Sequence, residues 1–424
     1  MVEVNALEIL ALFAVTIFVG YVGSLIFNKT NISDVIWLLL FGIFVGPVLH
    51  LVDRALFLTI APFLAAVALL TILFDAGLNM DFYQLVRGAP RSMLLGVLYL
   101  AFSMAGIGFV MSWFFGFSPL LGVLLGAILG GTGSAVVLAI VAKSGAGPQV
   151  RTLLSLESVF TDTLVIVVSI ALINIMVANA AYSAYQGILG AFSIGAVIGV
   201  LLGIVWLFIL ERLKGKPFDY MLTLAALFIV YIVVESAAGS GAIASLFFGL
   251  MLGNGAAVCR MLKIRKRAGA DPLFRSFHTE VSFFIRSFFF VFLGLIVAIN
   301  PVYIIYGLVI SAVLIVVRLI VAQIGTYGMS IARHEKNLVR VMVPQGLAAA
   351  VLAQLPVSAG IKEAAIFSDI IFVVIITTIL YTTIASRLVA KPRAGKIHVS
   401  QAEKTYKKAE MSVSKREKKG ELKN

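Results

Sequence analysis

The stretch Leu153-Leu154-Ser155-Leu156-Glu157-Ser158-Val159-Phe160-Thr161-Asp162-Thr163-Leu164-Val165-Ile166-Val167-Val168 sets two carboxylates inside an apolar run that continues to Val177. Such a run is long enough to cross a bilayer, which takes about 20 helical residues. An acid near the midplane costs roughly 2.5 to 3.5 kcal/mol on the insertion scale, and it is tolerated where ions or protons are handled. Asp162 is therefore the first candidate functional residue. The alternative is an aspartate satisfied by hydroxyls at a helix contact.

Helical geometry separates the two acids. At about 100° per residue, Ser155, Ser158, Asp162 and Ser169 share a sector of about 60°, a narrow polar stripe. Ser158 and Asp162 stand at i and i+4, so both oxygens can face one cavity. Glu157 lies about 140° away and needs another partner. Arg318, centred in Leu314-Ile315-Val316-Val317-Arg318-Leu319-Ile320, is the deepest cation of the second half. A Glu157–Arg318 ion pair, structural first, is the economical reading. Asp162 can hold a proton or a small hard cation such as sodium. Competition at that one carboxylate suffices to couple the two movements. Asp75, in Leu73-Phe74-Asp75-Ala76-Gly77-Leu78, either extends the ion path or is solvated at the interface. Glu235 and Arg286 read as interfacial or packing charges.

The rest of the chain fits a membrane protein. Of 424 residues, 61% are hydrophobic and 12% charged, and the mean hydropathy is +1.08. A soluble chain of this length has too few charges here to cover its apolar surface. The first apolar stretch, Ala6 to Phe27, has only Glu3 as a charge before it and reads as a retained helix, not a signal peptide. One cysteine, Cys259, excludes an internal disulfide and a cysteine metal cluster. His50, His278, His334 and His398 are expected at or beyond helix ends, so no haem or zinc set is built from them, and no cofactor is expected.

Runs of about 20 apolar residues give thirteen expected spans. They lie near 6–27, 33–50, 58–79, 92–115, 119–143, 150–175, 187–211, 219–238, 242–255, 279–300, 303–331, 338–358 and 366–388. One set of alternate loops then carries 17 basic residues, among them Arg87, Arg91, Lys143, Arg151, Lys263, Arg275 and Arg333, while the other has Arg54 and Lys362. The positive-inside rule places the N-terminus outside and the C-terminus in the cytoplasm of a multi-pass cell-membrane protein. The net charge of +13 is thus explained by topology and does not point to nucleic acid. From Arg387 onward the chain is strongly basic with little apolar periodicity, which predicts a disordered cytoplasmic tail held loosely to anionic membrane lipid.

Two spans look interrupted. The fifth contains Gly130-Gly131-Thr132-Gly133-Ser134 and the twelfth Val343-Pro344-Gln345-Gly346-Leu347. Seven spans apart, they enter the membrane from opposite sides. Paired breaks of this kind in inverted halves mark a transporter binding site. Gly122 and Gly126 read instead as close-packing residues.

These residues resemble the NhaP-type sodium/proton exchangers of the monovalent cation–proton antiporter superfamily, over about residues 6–390. The most specific match is Glu157-Ser158-Val159-Phe160-Thr161-Asp162, similar to the family's Glu-Ser-x-x-Asn-Asp segment. Thr132, Arg318, Phe74-Asp75-Ala76-Gly77-Leu78 and Glu235 to Gly241 match further family positions. The resemblance implies an all-α fold of about thirteen helices, with six-helix inverted repeats, two broken crossing helices and a linker helix over 176–218. It implies a dimer-forming part over 1–91 and 219–302, a mobile transport part over 92–175 and 303–390, and a tail over 391–424. Asp162, Ser158, Thr132 through its carbonyl, and Asp75 would hold the transported sodium, with Thr161 beside them. The chain would be a homodimer and no enzyme. Three departures stand out: Thr161 for the usual asparagine, Gly133 for an acid, and Gln345 for an arginine. With Thr161 in place of a second aspartate, one core carboxylate titrates, which predicts electroneutral exchange of one sodium or lithium for one proton. A potassium/proton antiporter is the alternative, and a cation-coupled symporter on a related fold comes next. A channel would need a continuous polar lining, and an intramembrane protease a second aspartate or a zinc set.

Overall fold

The computed structural model describes residues 6–30, 33–51, 54–80, 90–177, 181–213, 216, 218–263 and 272–389. The basic tail expected over 391–424 lies outside the described residues, as do Arg87, Lys214 and Arg265 to Arg267. Among the described residues all regular structure is helical.

The first part runs through α1 (Ala6–Thr30), α2 (Asp34–Ile43, extended by a π turn Phe44–Val48) and α3 (Arg54–Asn79). Next come α4 (Pro90–Trp113), α5 (Pro119–Ile128), α6 (Ser134–Lys143) and α7 (Pro148–Val177), then the long α8 (Ala181–Leu213). The second part holds α9 (Asp219–Ser236), α10 (Gly241–Gly253), the short α11 (Gly255–Met261) and α12 (Pro272–Ile296). It continues through α13 (Pro301–Gly325), α14 (Arg333–Val341), α15 (Leu347–Leu352) and α16 (Leu355–Ser358), with α17 (Phe367–Val389) last. Among the described residues, each span expected from hydropathy falls on a helix or on a broken run of two or three helices. Seven helices among the described residues are long and apolar enough to cross a membrane alone, eight when the bent pair α10–α11 counts as one.

Sequence punctuation sets the boundaries. Ser118 caps α5 by accepting from the Leu121 N–H at 3.3 Å, with Pro119 next. Asn300 does the same for α13, accepting from the Val302 N–H at 2.9 Å ahead of Pro301. Proline fits this position because its missing N–H has no helical partner there. Two expectations need correction. The tenth span begins at Pro272, about two turns earlier than hydropathy suggests, so His278 lies inside α12, not at a helix end. It is buried among the rings of Phe74, Phe274 and Phe277. The eleventh span ends at Gly325, short of residue 331, and Gly328 turns the chain in a left-handed conformation.

Packing divides the helices into two groups. α10 packs on both α3 and α8, and α12 lies on α2 and α3. In the other group α4 packs on α5, α7 and α13, and α13 on α17. Gly122 and Gly126 let α5 approach α4 closely: a methyl on Gly126 would sit 2.6 Å from the Met104 Cα. Large apolar side chains such as Phe18, Phe63, Trp113, Ile229 and Leu388 face outward, as lipid-facing residues of a bundle do.

Candidate ion-binding site

α5 stops at Ile128 and α6 starts at Ser134; α14 stops at Val341 and α15 starts at Leu347. The two unwound segments cross in the middle of the bundle. There the Gly133 N–H donates to the Pro344 carbonyl at 2.7 Å. A methyl on Gly133 would come 2.6 Å from the Gly346 Cα, so the crossing needs glycine on both strands.

Unwound backbone at membrane depth survives only when its polar groups find partners. α17 supplies two of them: Thr382 Oγ1 accepts from the Val343 N–H at 3.3 Å and Thr378 Oγ1 from the Gln345 N–H at 3.1 Å. The Gln345 side-chain amide donates to the carbonyls of Leu129 and Gly131, both at 3.0 Å, and so ties off the frayed end of α5. Thr161 Oγ1 accepts from the Thr132 N–H at 3.3 Å while donating to the Ser158 carbonyl. Pro344 has no N–H to satisfy.

Asp162 sits where the breaks meet. Its Oδ2 accepts from the Ser134 N–H at 3.0 Å, so the carboxylate faces the N-terminus of α6. The partial positive charge of that helix end favours an anion. The carboxylate lines a cavity of about 210 Å³ shared with Asp75, Ser134, Ser282, Arg286 and Gly346. The cavity extends toward the end of the bundle where α2 and α12 begin and α3 ends. Asp75 is steadied by the Asn79 side-chain amide, which donates to Oδ1 at 3.0 Å.

Of the five residues expected to hold an ion, Asp162 and Asp75 line this cavity. Ser158, Thr132 and Thr161 are fully buried behind its wall, where Ser158 donates to the Ser155 carbonyl at 3.1 Å. Gly131, Gly133, Ser134, Pro344, Gln345 and Gly346 all fall in the breaks or at their edges. Glu157 and Arg318 meet on the far side of α7. Arg318 Nη1 donates to Glu157 Oε1, Nη2 donates to Oε2 at 2.9 Å, and Nε donates to the Val339 carbonyl at 2.9 Å. The ring of Tyr99 lies 5.4 Å from the guanidinium carbon. This pair ties α4, α7, α13 and α14 together.

Three features of the site escape sequence reasoning. Thr378 and Thr382 are legible only as an i, i+4 pair of hydroxyls on an apolar helix. Asp34 has no mark in the sequence beyond its place near the start of the second span, yet it pairs with Arg286 at 3.2 Å. Arg286, by its sequence a packing charge, stands in the wall of the cavity.

Residues 14–391 match the family described as sodium/hydrogen exchanger, transmembrane. The chain belongs to this sodium/hydrogen exchanger family. It is accordingly a multi-pass membrane protein of a transporter family. Among its exchanger relatives is the Na(+)/H(+) antiporter ApNhaP of Aphanothece halophytica, 27% identical over 53% of this chain and 42% of that protein. The probable Na(+)/H(+) antiporter 2 of Methanocaldococcus jannaschii is 27% identical over 66% of this chain and 69% of its own length. The K(+)/H(+) antiporter NhaP of Alkalimonas amylolytica is 24% identical over 74% and 54%. The chain spans less than half the length of ApNhaP and of NhaS1 from Synechocystis. The fold is that of the sodium proton antiporter MjNhaP1 from Methanocaldococcus jannaschii at pH 8, with a TM-score of 0.72 over 90% of this chain and 97% of the other, at 23% identity.

Proposed function

We propose that this family member exchanges a monovalent cation, sodium in preference and lithium as well, for a proton by alternating access. The observation that carries the reading is Asp162: one carboxylate, at the crossing of two broken helices, facing both a helix N-terminus and a polar cavity. A carboxylate is a suitable ligand for a hard ion, and half-helix ends at a crossing are the usual surroundings of a transported ion. Asp162 takes the proton and the cation in turn, and Asp75 receives the cation in the cavity. Ser158 and the Thr132 carbonyl complete the ion's ligands once the buried stripe of α7 turns to it. Glu157 and Arg318 hold the transport part, 92–175 with 303–390, as one body. That body moves against the dimer-forming part, 1–91 with 219–302, with 176–218 as the linker. The reading includes a homodimer in the cell membrane, N-terminus outside and C-terminus cytoplasmic, with lipid around it. One titrating carboxylate in the core makes the exchange electroneutral.

The potassium/proton reading has one specific support, the likeness to a K(+)/H(+) antiporter over 74% of this chain. One experiment tests both. Purified protein goes into liposomes with an internal pH dye and an acid interior, and sodium, lithium or potassium is added outside. Collapse of the gradient by a cation, lost in folded Asp162→Asn, supports the exchange, and the order of the ions decides selectivity. No response to any cation moves the reading to a symporter or a channel. A voltage-dependent initial rate, with leak excluded, counts against electroneutrality.

A further inference from the structure

The wall of the ion cavity opposite Asp162 is built by α12, whose Thr279, Ser282 and Arg286 follow at i, i+3 and i+7 and so share one face. A guanidinium therefore lies in the same 210 Å³ as the two carboxylates expected to meet the transported cation. It is permanently charged. Unrestrained, it is a tethered competitor for Asp75 and Asp162.

What restrains it is Asp34. Arg286 Nη2 donates to Asp34 Oδ2 at 3.2 Å, and the ring of Phe283 lies 5.5 Å from the guanidinium carbon. Nε is buried without a hydrogen-bond partner among the described residues. The contrast with Arg318 is informative. Arg318 is 0% exposed and bound by both carboxylate oxygens and a carbonyl, whereas the Arg286 and Asp34 side chains are 23% and 18% exposed and meet at one point. Asp34 is itself fixed, in the first turn of α2, where Ser33 caps the helix and its hydroxyl lies 3.2 Å from Asp34 Oδ1.

We propose that Asp34 is a positioning residue that holds the Arg286 guanidinium against the cavity wall and so sets the affinity for the transported cation. This rests on Asp162 being the exchange site. Counted over Asp34, Asp75, Asp162 and Arg286 alone, the net charge is −2; Arg275, bonded to the Leu78 and Gly253 carbonyls, is the same in every variant. Removing the Asp34 charge leaves −1 and an unheld competitor. Removing the Arg286 charge leaves −3, and removing both restores −2. A unit charge a few ångströms from a binding site at an effective dielectric near 20 changes occupancy by roughly tenfold or more.

The test measures KM and kcat for sodium–proton exchange in proteoliposomes at one pH for the native chain, Asp34→Asn, Arg286→Gln and the double variant. Thermal melting in detergent confirms that each is folded. Asp34→Asn is expected to raise the sodium KM by roughly tenfold with a smaller change in kcat. Arg286→Gln is expected to lower KM, and the double variant to return it to within about threefold of the native value, since the net charge is restored. A purely structural pair gives a different pattern: both single variants lose stability or kcat, the double recovers part of that loss, and KM stays put in all three. That pattern overturns the proposal. So does an unchanged KM in folded Asp34→Asn while the native protein exchanges sodium normally. Absence of sodium-driven proton flux in the native chain instead defeats the exchange reading itself, a result distinguishable from the other two.

Discussion

Gly133 and Gly346 touch backbone to backbone where the two broken helices cross, with 2.6 Å between the position of a Cβ on either and the Cα of the other. Neither backbone needs a left-handed conformation, since Gly133 has φ −60° and Gly346 φ −132°. The demand is for space alone. Gly133→Ala or Gly346→Ala must push the crossing apart, and overpacking of this kind costs about 1 to 3 kcal/mol. Because the displaced segment carries Ser134, whose N–H holds Asp162, exchange should fall further than the melting temperature does. Melting of each variant in detergent beside its exchange rate checks this. A variant with native exchange would show that the crossing can open without loss.

Gln345 allows a sharper test. Its amide bonds two carbonyls at the end of α5, and both are buried. Gln345→Leu leaves them unpaired, at a cost of about 1 to 3 kcal/mol per group. Gln345→Glu, nearly the same shape, sets a carboxylate against two carbonyl oxygens and should be worse than leucine while ionised. The order Gln, Leu, Glu in melting temperature is the expected outcome. Glutamate above leucine would mean that donation to Leu129 and Gly131 is unimportant.

The two breaks are legible in the sequence because glycine clusters and a Pro-Gln-Gly segment have no other use in the middle of an apolar span. Asp162 and the Glu157–Arg318 contact are legible because a charge in an apolar run needs a reason, and helical geometry says which way each points. Asp34 and Arg286 are not. Asp34 opens a helix, where an acid is ordinary, and only the packing of α2 on α12 brings it to the cavity. Thr161 is legible as a departure from the family's asparagine, but what it does there is not. Its hydroxyl answers the Thr132 N–H, and its methyl fills the notch left by Gly96 on α4. Helix ends fail where hydropathy is the only guide: the spans expected from 279 and 303 begin at Pro272 and Pro301.

The Glu157–Arg318 pair is fully buried, so removing one partner strands the other charge. Glu157→Gln and Arg318→Met are each expected to destabilise by about 3 to 5 kcal/mol. The double variant should recover part of that, short of the native value because the Val339 carbonyl loses its donor. Thermal melts of the three variants form the cycle. Additive losses in the double variant would mean that the two side chains do not depend on each other.

The proton and the cation compete for one carboxylate in the proposed exchange, and this has a definite sign. Lowering pH protonates Asp162 in a larger share of molecules, so more cation is needed to occupy it. The apparent KM for sodium should rise as pH falls, approaching about tenfold per pH unit once the protonated form dominates. The rate at saturating sodium should stay level over the same acid range, because enough cation displaces the proton. Radioactive sodium uptake, titrated at several pH values with equal pH on both sides of the membrane, separates the two quantities. Folded Asp162→Asn should show no saturable uptake at any of them. A saturating rate that falls with acid while KM holds steady would place the proton on a group other than Asp162, and the coupling would then have to pass between two sites.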